Sequence, residues 1–394
     1  MVDFLKEAEE IEQEVIGWRR HVHQYPELLM DLPETAAFVE QELKSMGYEP
    51  EYIGRSGIIA VLDSQKPGKT LLLRADMDAL PIEEESGLGF ASKRPGISHA
   101  CGHDTHTAML LGAAKLLMKH KDQLKGRVKL MFQPGEEGGG GARAMVEAGV
   151  LRSPDVDACM ALHQVVARDH VPTGIIGYTR GPMMASADMF RITVRGKSVH
   201  GASPESGVNP VQILCQIYNG LQSIECSEKP RGSALALTIG QINAGRAGNV
   251  IPEQGFMCGS IRAYEEDVRN LAKRRLREIS EQTAALFGGR AEVEFLSELP
   301  ATVNDYEVGD EMFGYVRELV GEDGTMMLPQ IMGAEDFAEV LKEVPGVLFR
   351  VSLGDKQEGY PYISHNSKVI FNESGMKHGV AVFAHCAVRW LNAH

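Results

Sequence analysis

The stretch Thr70–Pro81 reads TLLLRADMDALP, an apolar run followed at once by two acidic residues and a proline. Thr70–Arg74 predicts a buried-type strand. Asp76 and Asp78 would then lie at the C-terminal end of that strand, where open α/β sheets place their ligands. An isolated Asp-x-Asp is also common in solvated turns. The two acids therefore gain a functional interpretation only from the residues around them.

Strand and helix patterns alternate around this stretch. Apolar runs predict strands at Gly57–Leu62, Val128–Phe132 and Ala158–His163, and helical spacing of apolar residues predicts helices at Phe4–Gln24, Glu34–Met46, His103–Lys119 and Arg143–Ala148. Such alternation is typical of an α/β layer domain.

A different pattern begins near Ala187. The predicted order there is β-α-β-β-α-β, through Met189–Val194, Pro210–Ile224, Ala234–Ile242, Gly255–Ala263, Asp267–Phe287 and Ala291–Leu296. This is the ferredoxin-like unit, which closes as a small two-layer domain. We therefore expect two domains: residues 187–298 as an insertion, and residues 1–186 with 299–394 as the domain that receives it.

The net charge and the cysteine usage limit the partners and the cellular location that we expect. The 394 residues carry a formal net charge of -14, so we expect neither nucleic acid nor an anionic membrane as a partner. The six cysteines are scattered through a long chain, which does not suggest a disulfide framework. The N-terminal segment is charged and lacks a signal-peptide core. A cytoplasmic location is the expectation.

The segment His99–His106 reads HACGHDTH and precedes a predicted helix. Cys101 and His103 can converge from one tight turn because Gly102 between them relieves steric conflict. Thiolate and imidazole are favoured ligands for zinc and similar ions. A buried cysteine beside surface histidines is the structural alternative. A second alternative is a Cys101 nucleophile with His103 as its base, which would leave the acidic pair described next without a role.

That acidic pair is Glu136-Glu137, which leaves a predicted strand and enters a glycine loop. Neighbouring side chains on an extended backbone point apart, so one carboxylate can bind a metal while the other faces a bound water. A solvated acidic turn is the alternative. His163 and His365 become candidate ligands only when they are considered together with these residues. The sequence contains no Gly-x-Ser-x-Gly elbow, P-loop or strand-linked dinucleotide fingerprint.

Taken in order, these motifs make the chain resemble the aminoacylase and carboxypeptidase G superfamily of metallohydrolases. The similarity is to the branch of hippurate hydrolases, N-acyl-amino-acid deacetylases and indole-acetyl-amino-acid hydrolases. It rests on Trp18–His21, Pro26–Leu28, Arg74–Pro81, His99–Asp104, Phe132–Glu137, Gly196–His200, Asn249–Pro252, Gly333–Phe337 and His365-Asn366.

The resemblance implies a mixed-sheet, zinc-peptidase-like catalytic domain with two divalent ions (zinc, manganese, nickel or cobalt) and an inserted lid domain. By motif position, Glu136 would be the general base. The metal ligands would be Cys101, His103, Glu137, His163 and His365. The wider superfamily has a His-x-Asp motif where this chain has Asp76-Met-Asp78, which leaves the roles of both aspartates open.

The expected reaction is hydrolysis of an N-acyl amino acid to a carboxylate and a free amino acid. A dipeptidase or carboxypeptidase of the same superfamily, or an inactive binding homologue, are the alternatives. In the lid, we expect His200 to assist catalysis, in cis or from a neighbouring subunit. Asn249 and Arg262 are candidates for binding the substrate carboxylate. The resemblance also implies a homodimer or homotetramer assembled through the lid.

Overall fold

The computed structural model describes residues 2–394, which form two compact units. The first comprises the described residues up to Gly181 together with Val303–Pro329 and Glu339–His394, and the second comprises Pro182–Thr302 and Gln330–Ala338. The helices are α1 (Phe4–Glu10), α2 (Glu12–Gln24), α3 (Pro33–Ser45), α4 (His103–Lys119), α5 (Gly141–Glu147), α6 (Pro210–Ser223), α7 (Glu266–Leu286), α8 (Tyr306–Val320), α9 (Ala338–Leu341) and α10 (Met376–Ala393).

The strands, in chain order, are β1 (Glu51–Ile53), β2 (Gly57–Asp63), β3 (Thr70–Asp76), β4 (Arg127–Gln133), β5 (Ala158–Val165), β6 (Ile176–Tyr178), β7 (Pro182–Met184), β8 (Ala187–Arg195), β9 (Val199–His200), β10 (Leu235–Ala244), β11 (Val250–Ile251), β12 (Gln254–Ala263), β13 (Arg290–Leu299), β14 (Thr302–Val303), β15 (Thr325–Met327) and β16 (Gly346–Ser352).

A mixed eight-stranded sheet organises the first unit, in the order β1-β2-β4-β3-β5-β16-β6-β15. Strands β4, β3, β5 and β16 are mutually parallel, and every residue of β3 and β16 is buried. Fully buried parallel strands need apolar residues on both faces, as the LLL run of β3 provides. The predicted α/β mixed-sheet class is confirmed. The carboxyl ends of β4, β3 and β5 meet at one edge of this sheet.

The second unit contains an antiparallel sheet of order β10-β12-β8-β13. Its strands and helices follow the chain order β8-α6-β10-β12-α7-β13, the ferredoxin-like order expected from the sequence. Alternate residues Phe190, Ile192 and Val194 of β8 lie in a common core with α6 and α7. The unit contains the predicted 187–298 segment and also Gln330–Ala338, since Ile331 forms a β-bridge with Met184.

The first helical segment is shorter than its sequence pattern predicts. Phe4–Gln24 is divided at Ile11, which leaves helical geometry (φ −102°, ψ 6°). The Ile11 carbonyl instead accepts the backbone N–H groups of Glu14 and Val15 and begins α2. The prediction of one continuous helix was wrong because the apolar spacing persists across this break.

Within residues 2–394, none of the helices combines the length and the apolar character needed to cross a bilayer.

Candidate metal centre

The candidate ligands converge from four segments of the first unit. Cys101 and His103 flank Gly102, whose positive φ of 79° makes the turn that starts α4. Glu137 lies in the turn after β4, His163 lies on β5, and His365 lies in the loop that precedes α10. The parallel order of β4, β3 and β5 places the ends of these strands side by side, so residues far apart in sequence become neighbours.

Two groups of three potential ligands share one thiol. The donor atoms of Cys101, His103 and His163 all lie within 4.8 Å of one another, and so do those of Cys101, Glu137 and His365. Cys101 Sγ lies 3.6 Å from His163 Nε2, and Glu137 Oε1 lies 3.1 Å from His365 Nε2. Each group could hold one divalent ion, with Cys101 contacting both.

His103 lies among four carboxylates. Its ring nitrogens are 3.8 Å from Asp76 Oδ2, 3.5 Å from Asp78 Oδ1, 3.8 Å from Glu136 Oε2 and 3.9 Å from Glu137 Oε1. Burial alone would lower the pKa of His103, but the Asp76 charge and its other neighbours raise that pKa well above the usual range. This concentration of negative charge attracts a cation, whether a proton or a metal ion.

The protonation chemistry of the other donors fits a metal ion. Burial raises the pKa of the Cys101 thiol, so the thiolate needs a nearby cation to form. Burial and the charge of Arg350 hold the pKa of His163 well below its usual range, which keeps its imidazole neutral as a ligand must be. Within residues 2–394, both ring nitrogens of His103 are buried and make no hydrogen bond. Such orphaned nitrogens suit coordination.

The His365 backbone has a left-handed conformation that residues other than glycine rarely adopt. Its φ is 68°, and its N–H donates to the carbonyl of Ala100 at 2.8 Å. Left-handed backbone at a residue of this kind costs free energy and persists where the surroundings enforce it. The hydrogen bond joins the His365 loop to the residue directly before Cys101.

The two aspartates of the Asp-x-Asp motif have different surroundings. Asp76 is fully buried; Arg74 Nη1 donates to its Oδ2 at 2.7 Å and His106 Nδ1 contacts its Oδ1 at 2.5 Å. Asp78 accepts the backbone N–H groups of Glu136 and Glu137 at 2.9 and 3.0 Å. Neither arrangement was predicted from the sequence. The alternation of side chains along β3 was the available signal for Asp76, since it directs Arg74 and Asp76 toward the same side.

The residues predicted for the lid all lie in the second unit. His200 pairs with Val250 between β9 and β11, next to Asn249. His200 Nδ1 accepts the N–H of Ala202 at 3.0 Å, which assigns the proton of a neutral ring to the exposed Nε2. Arg262 Nη1 donates to the carbonyl of Met332 at 2.8 Å.

Strand β12 separates Arg262 from the His200 and Asn249 pair. The eight residue steps from Gln254 to Arg262 span about 26 Å at about 3.3 Å per step. The β9–β11 ribbon continues the pairing of β8 with β12 beyond Gln254, away from Arg262. The unit therefore brings His200 and Asn249 together and leaves Arg262 at its other end.

Known proteins are similar to this chain over most of its length. Residues 72–389 match the model of peptidase family M20/M25/M40. The chain is 38% identical to thermostable carboxypeptidase 1 of Saccharolobus solfataricus, covering 100% of this chain and 99% of that protein. It is 39% identical to N-acetyl-L-cysteine deacetylase of Bacillus subtilis, covering 92% of this chain and 86% of that protein.

Among solved structures, a Bacillus subtilis dinuclear metal-binding peptidase of the M20 family matches with a TM-score of 0.83 and 32% identity. The match covers 98% of this chain and 100% of that one. The family, these relatives and the converging donor atoms make this protein a metal-dependent amidohydrolase. By its sequence over most of its length and by its fold, the chain belongs to peptidase family M20/M25/M40.

Proposed function

We propose that the protein hydrolyses the amide bond of N-acyl amino acids, releasing a carboxylic acid and a free amino acid. The observation that carries this proposal is the pair of three-ligand groups that share Cys101, with the Glu136 carboxylate 3.8 Å from His103. Cys101, His103 and His163 would hold one divalent ion, and Cys101, Glu137 and His365 the other. The mixed thiolate, imidazole and carboxylate donors suit zinc, manganese, nickel or cobalt.

When bound, divalent ions polarise a carbonyl and lower the pKa of water. Glu136 Oε2 would accept a proton from the attacking water and donate it to the leaving amine nitrogen. Its own backbone N–H is fixed by Asp78, so the carboxylate starts from a defined position. The adjacent Glu137 carboxylate contacts His365 and would remain a ligand while Glu136 moves the proton.

We propose that residues of the second unit also bind the substrate. His200 Nε2 bears the proton of a neutral ring and would donate a hydrogen bond to the developing oxyanion. Asn249, beside it, and Arg262 would bind polar groups of the substrate. Because Arg262 lies at the opposite end of β12, we propose that a second subunit supplies His200 and Asn249 when Arg262 comes from the first.

An assembly of this kind needs a surface on the second unit. Strand β10 is an edge of the four-stranded sheet, and among the described residues no strand pairs with its outer side, where the Leu237 N–H donates to Glu225 Oε1. The neighbouring α6 exposes Val211, Cys215 and Tyr218 at helical i, i+4, i+7 spacing, with Val211 42% and Tyr218 41% exposed. We propose that these elements join two copies. Sedimentation velocity should show a dimer or larger species for wild type and a monomer for Val211→Arg/Tyr218→Arg; a monomeric wild type would contradict the assembly.

A carboxypeptidase activity is the second candidate, because a full-length relative at 38% identity carries that name. Both reactions cleave the amide bond on the amino side of a residue with a free carboxylate. They differ in what occupies the acyl side: a small acyl group in one case and a peptide with a free amine in the other.

A substrate panel separates these two activities. Acetyl, benzoyl and longer-chain N-acyl amino acids would be compared with matched dipeptides, using enzyme stripped by a chelator and reloaded with zinc, manganese, nickel or cobalt in turn. We expect metal-restored hydrolysis with a higher kcat/KM for N-acyl amino acids. Preferential cleavage of dipeptides would favour the carboxypeptidase. Activity that survives complete chelation would overturn the metal-dependent proposal.

A further inference from the structure

Gln164 lies directly after the candidate ligand His163 and contacts three ligand-bearing segments. It is 1% exposed, and its side-chain Nε2 donates to the carbonyl of Cys101 at 2.7 Å and to Ser364 Oγ at 2.9 Å. Its backbone carbonyl is 2.7 Å from His163 Nδ1. We propose that Gln164 is a positioning residue that holds Cys101, His163 and His365 in one metal-binding geometry.

The backbone carbonyl of Gln164 selects the tautomer of His163. A carbonyl oxygen can only accept, so His163 Nδ1 must carry the proton and donate it. The other ring nitrogen, Nε2, is then unprotonated and lies 3.6 Å from Cys101 Sγ. A lone pair on Nε2 is what a metal ligand requires, and such fixing of the opposite nitrogen is how neighbouring groups orient ligand imidazoles.

The side-chain amide of Gln164 acts on the other two ligands. One N–H fixes the carbonyl of Cys101 and therefore the turn that carries its thiol. The second N–H reaches Ser364, the residue before His365, whose backbone has a φ of 68°. The two bonds link a turn before α4 to a distant loop, and they supply part of the contacts that hold the strained His365 backbone.

The position of the Gln164 side chain also explains why residue 102 is a glycine. A Cβ at position 102 would lie 2.8 Å from Gln164 Cγ and 3.0 Å from Phe371, so the amide side chain occupies the space that a larger residue would need. The glycine of Cys101-Gly-His103 thus serves two purposes: it allows the positive φ of the turn and it admits the Gln164 side chain.

A chain of buried hydrogen bonds also fixes the backbone of Gln164. Its backbone N–H donates to His106 Nε2 at 2.8 Å, so the proton of His106 is on Nδ1 and is donated to Asp76. Asp76 in turn accepts from Arg74 at 2.7 Å. All members of this chain are buried, and buried networks with satisfied partners are rigid. This assigns a supporting role to Asp76, whose function the sequence left open.

The test is metal binding rather than turnover. Gln164→Met keeps the side-chain volume against Gly102 and removes both N–H donors. Co²⁺ would be titrated into the metal-free full-length protein, following affinity and the thiolate-to-cobalt absorption band. We expect the variant to bind at least one Co²⁺ about 10–100-fold more weakly, with an altered thiolate band. In the metal-free protein, amide hydrogens of residues 99–103 and 363–367 should exchange faster than in wild type.

Asn304→Ala is the matched control. Asn304 is also a fully buried amide side chain that joins backbone segments, through Thr179 and Leu348. It should lower stability and leave Co²⁺ affinity and spectrum unchanged. Ser364→Ala, which removes only one acceptor of the Gln164 amide, gives a second and milder variant if Gln164→Met does not fold.

The inference rests on the proposed ligand set, and the outcomes separate the two. The ligand set is supported if wild type binds Co²⁺ with a thiolate-to-cobalt band and Cys101→Ala alone lacks that band. If Gln164→Met or Ser364→Ala then binds Co²⁺ with wild-type affinity, spectrum and hydrogen exchange, the role of Gln164 is wrong while the proposed function stands. If wild type binds no Co²⁺ through Cys101, both are overturned.

Discussion

The Asp78 carboxylate accepts the backbone N–H of Glu136 at 2.9 Å, and its second oxygen accepts the N–H of Glu137 at 3.0 Å. The Asp78 side chain therefore fixes the backbone of both residues of the acidic pair. Asp78 Oδ1 is also 3.5 Å from His103 Nδ1. This arrangement couples the turn after β4 to the start of α4, and with it the proposed base to a proposed ligand.

We expect Asp78→Asn to lower metal affinity and kcat/KM. The amide retains one acceptor and presents a donor to the other backbone N–H, so the acidic pair loses one of its two fixed points. Residues that orient ligands typically change metal affinity or activity by about 10–100-fold. Metal titration and steady-state kinetics would measure both effects.

Asp157→Asn provides the comparison for Asp78. Asp157 likewise accepts a backbone N–H, that of Thr70 at 2.8 Å, but at the opposite end of β3. It should leave kcat/KM and metal affinity near wild type. Equal losses in the two variants would mean that Asp78 acts only through general stability.

Gly135 should resist substitution because of its backbone conformation and its close surroundings. Its φ is 71°, and a Cβ would contact Met30 Sδ. Gly135→Ala should reduce the free energy of unfolding by about 1–2 kcal/mol from backbone strain alone, and by more because of this contact. Gly54→Ala isolates the first cost, since Gly54 has a φ of 68° with open space around it. Equal losses by urea denaturation would exclude crowding by Met30.

The thiol prediction compares two buried cysteines. Cys101→Ala should lower metal content and abolish any thiolate-to-cobalt band, because it removes the one donor common to both ligand groups. Cys159→Ala removes another buried thiol, which donates to the carbonyl of Val344. Full metal occupancy and activity in Cys101→Ala would remove that residue from the ligand set.

A buried histidine predicts a pH dependence of stability. Burial alone would lower the pKa of His23, but Asp104 and Glu84, at 2.8 and 3.1 Å, raise it above its usual range. A raised folded-state pKa stabilises the protein fully below the unfolded pKa of about 6.5, and the contribution is lost as pH rises through the folded pKa.

The stability difference between wild type and His23→Gln should therefore be about 1–3 kcal/mol near pH 6 and smaller near pH 9. Urea denaturation of the metal-loaded protein at a series of pH values would measure it. A difference that stays constant or grows toward alkaline pH would contradict the charged His23 pair.

Most strands and helices could be predicted from the sequence, because the period of the apolar residues matches the pattern of buried side chains. Thr70–Arg74 and Phe190–Val194 follow the periodicities of a doubly buried strand and a half-buried strand. The break at Ile11 was not readable, since nothing in the apolar spacing marks it. Motifs identified Cys101 and Glu136 as candidates.

The support around these candidates was not predictable from the sequence. Gln164 carries no motif signal, and its importance arises from the parallel pairing that brings β5 beside β3 and from a turn and a loop that meet its amide. Such contacts depend on tertiary geometry. Likewise, the separation of Arg262 from His200 follows from the length of β12 and the direction of the β9–β11 ribbon, which become apparent only once the pairing is known.

We propose that amide hydrolysis occurs at a metal site where Glu136 moves the proton. The most direct measurement is turnover and metal content of Glu136→Gln on the same sample. We expect Glu136→Gln to hold two metal ions per chain, as in wild type, with kcat reduced by at least about 10²-fold. Wild-type turnover with full metal content, or loss of activity accompanied by loss of metal, would contradict the role of Glu136.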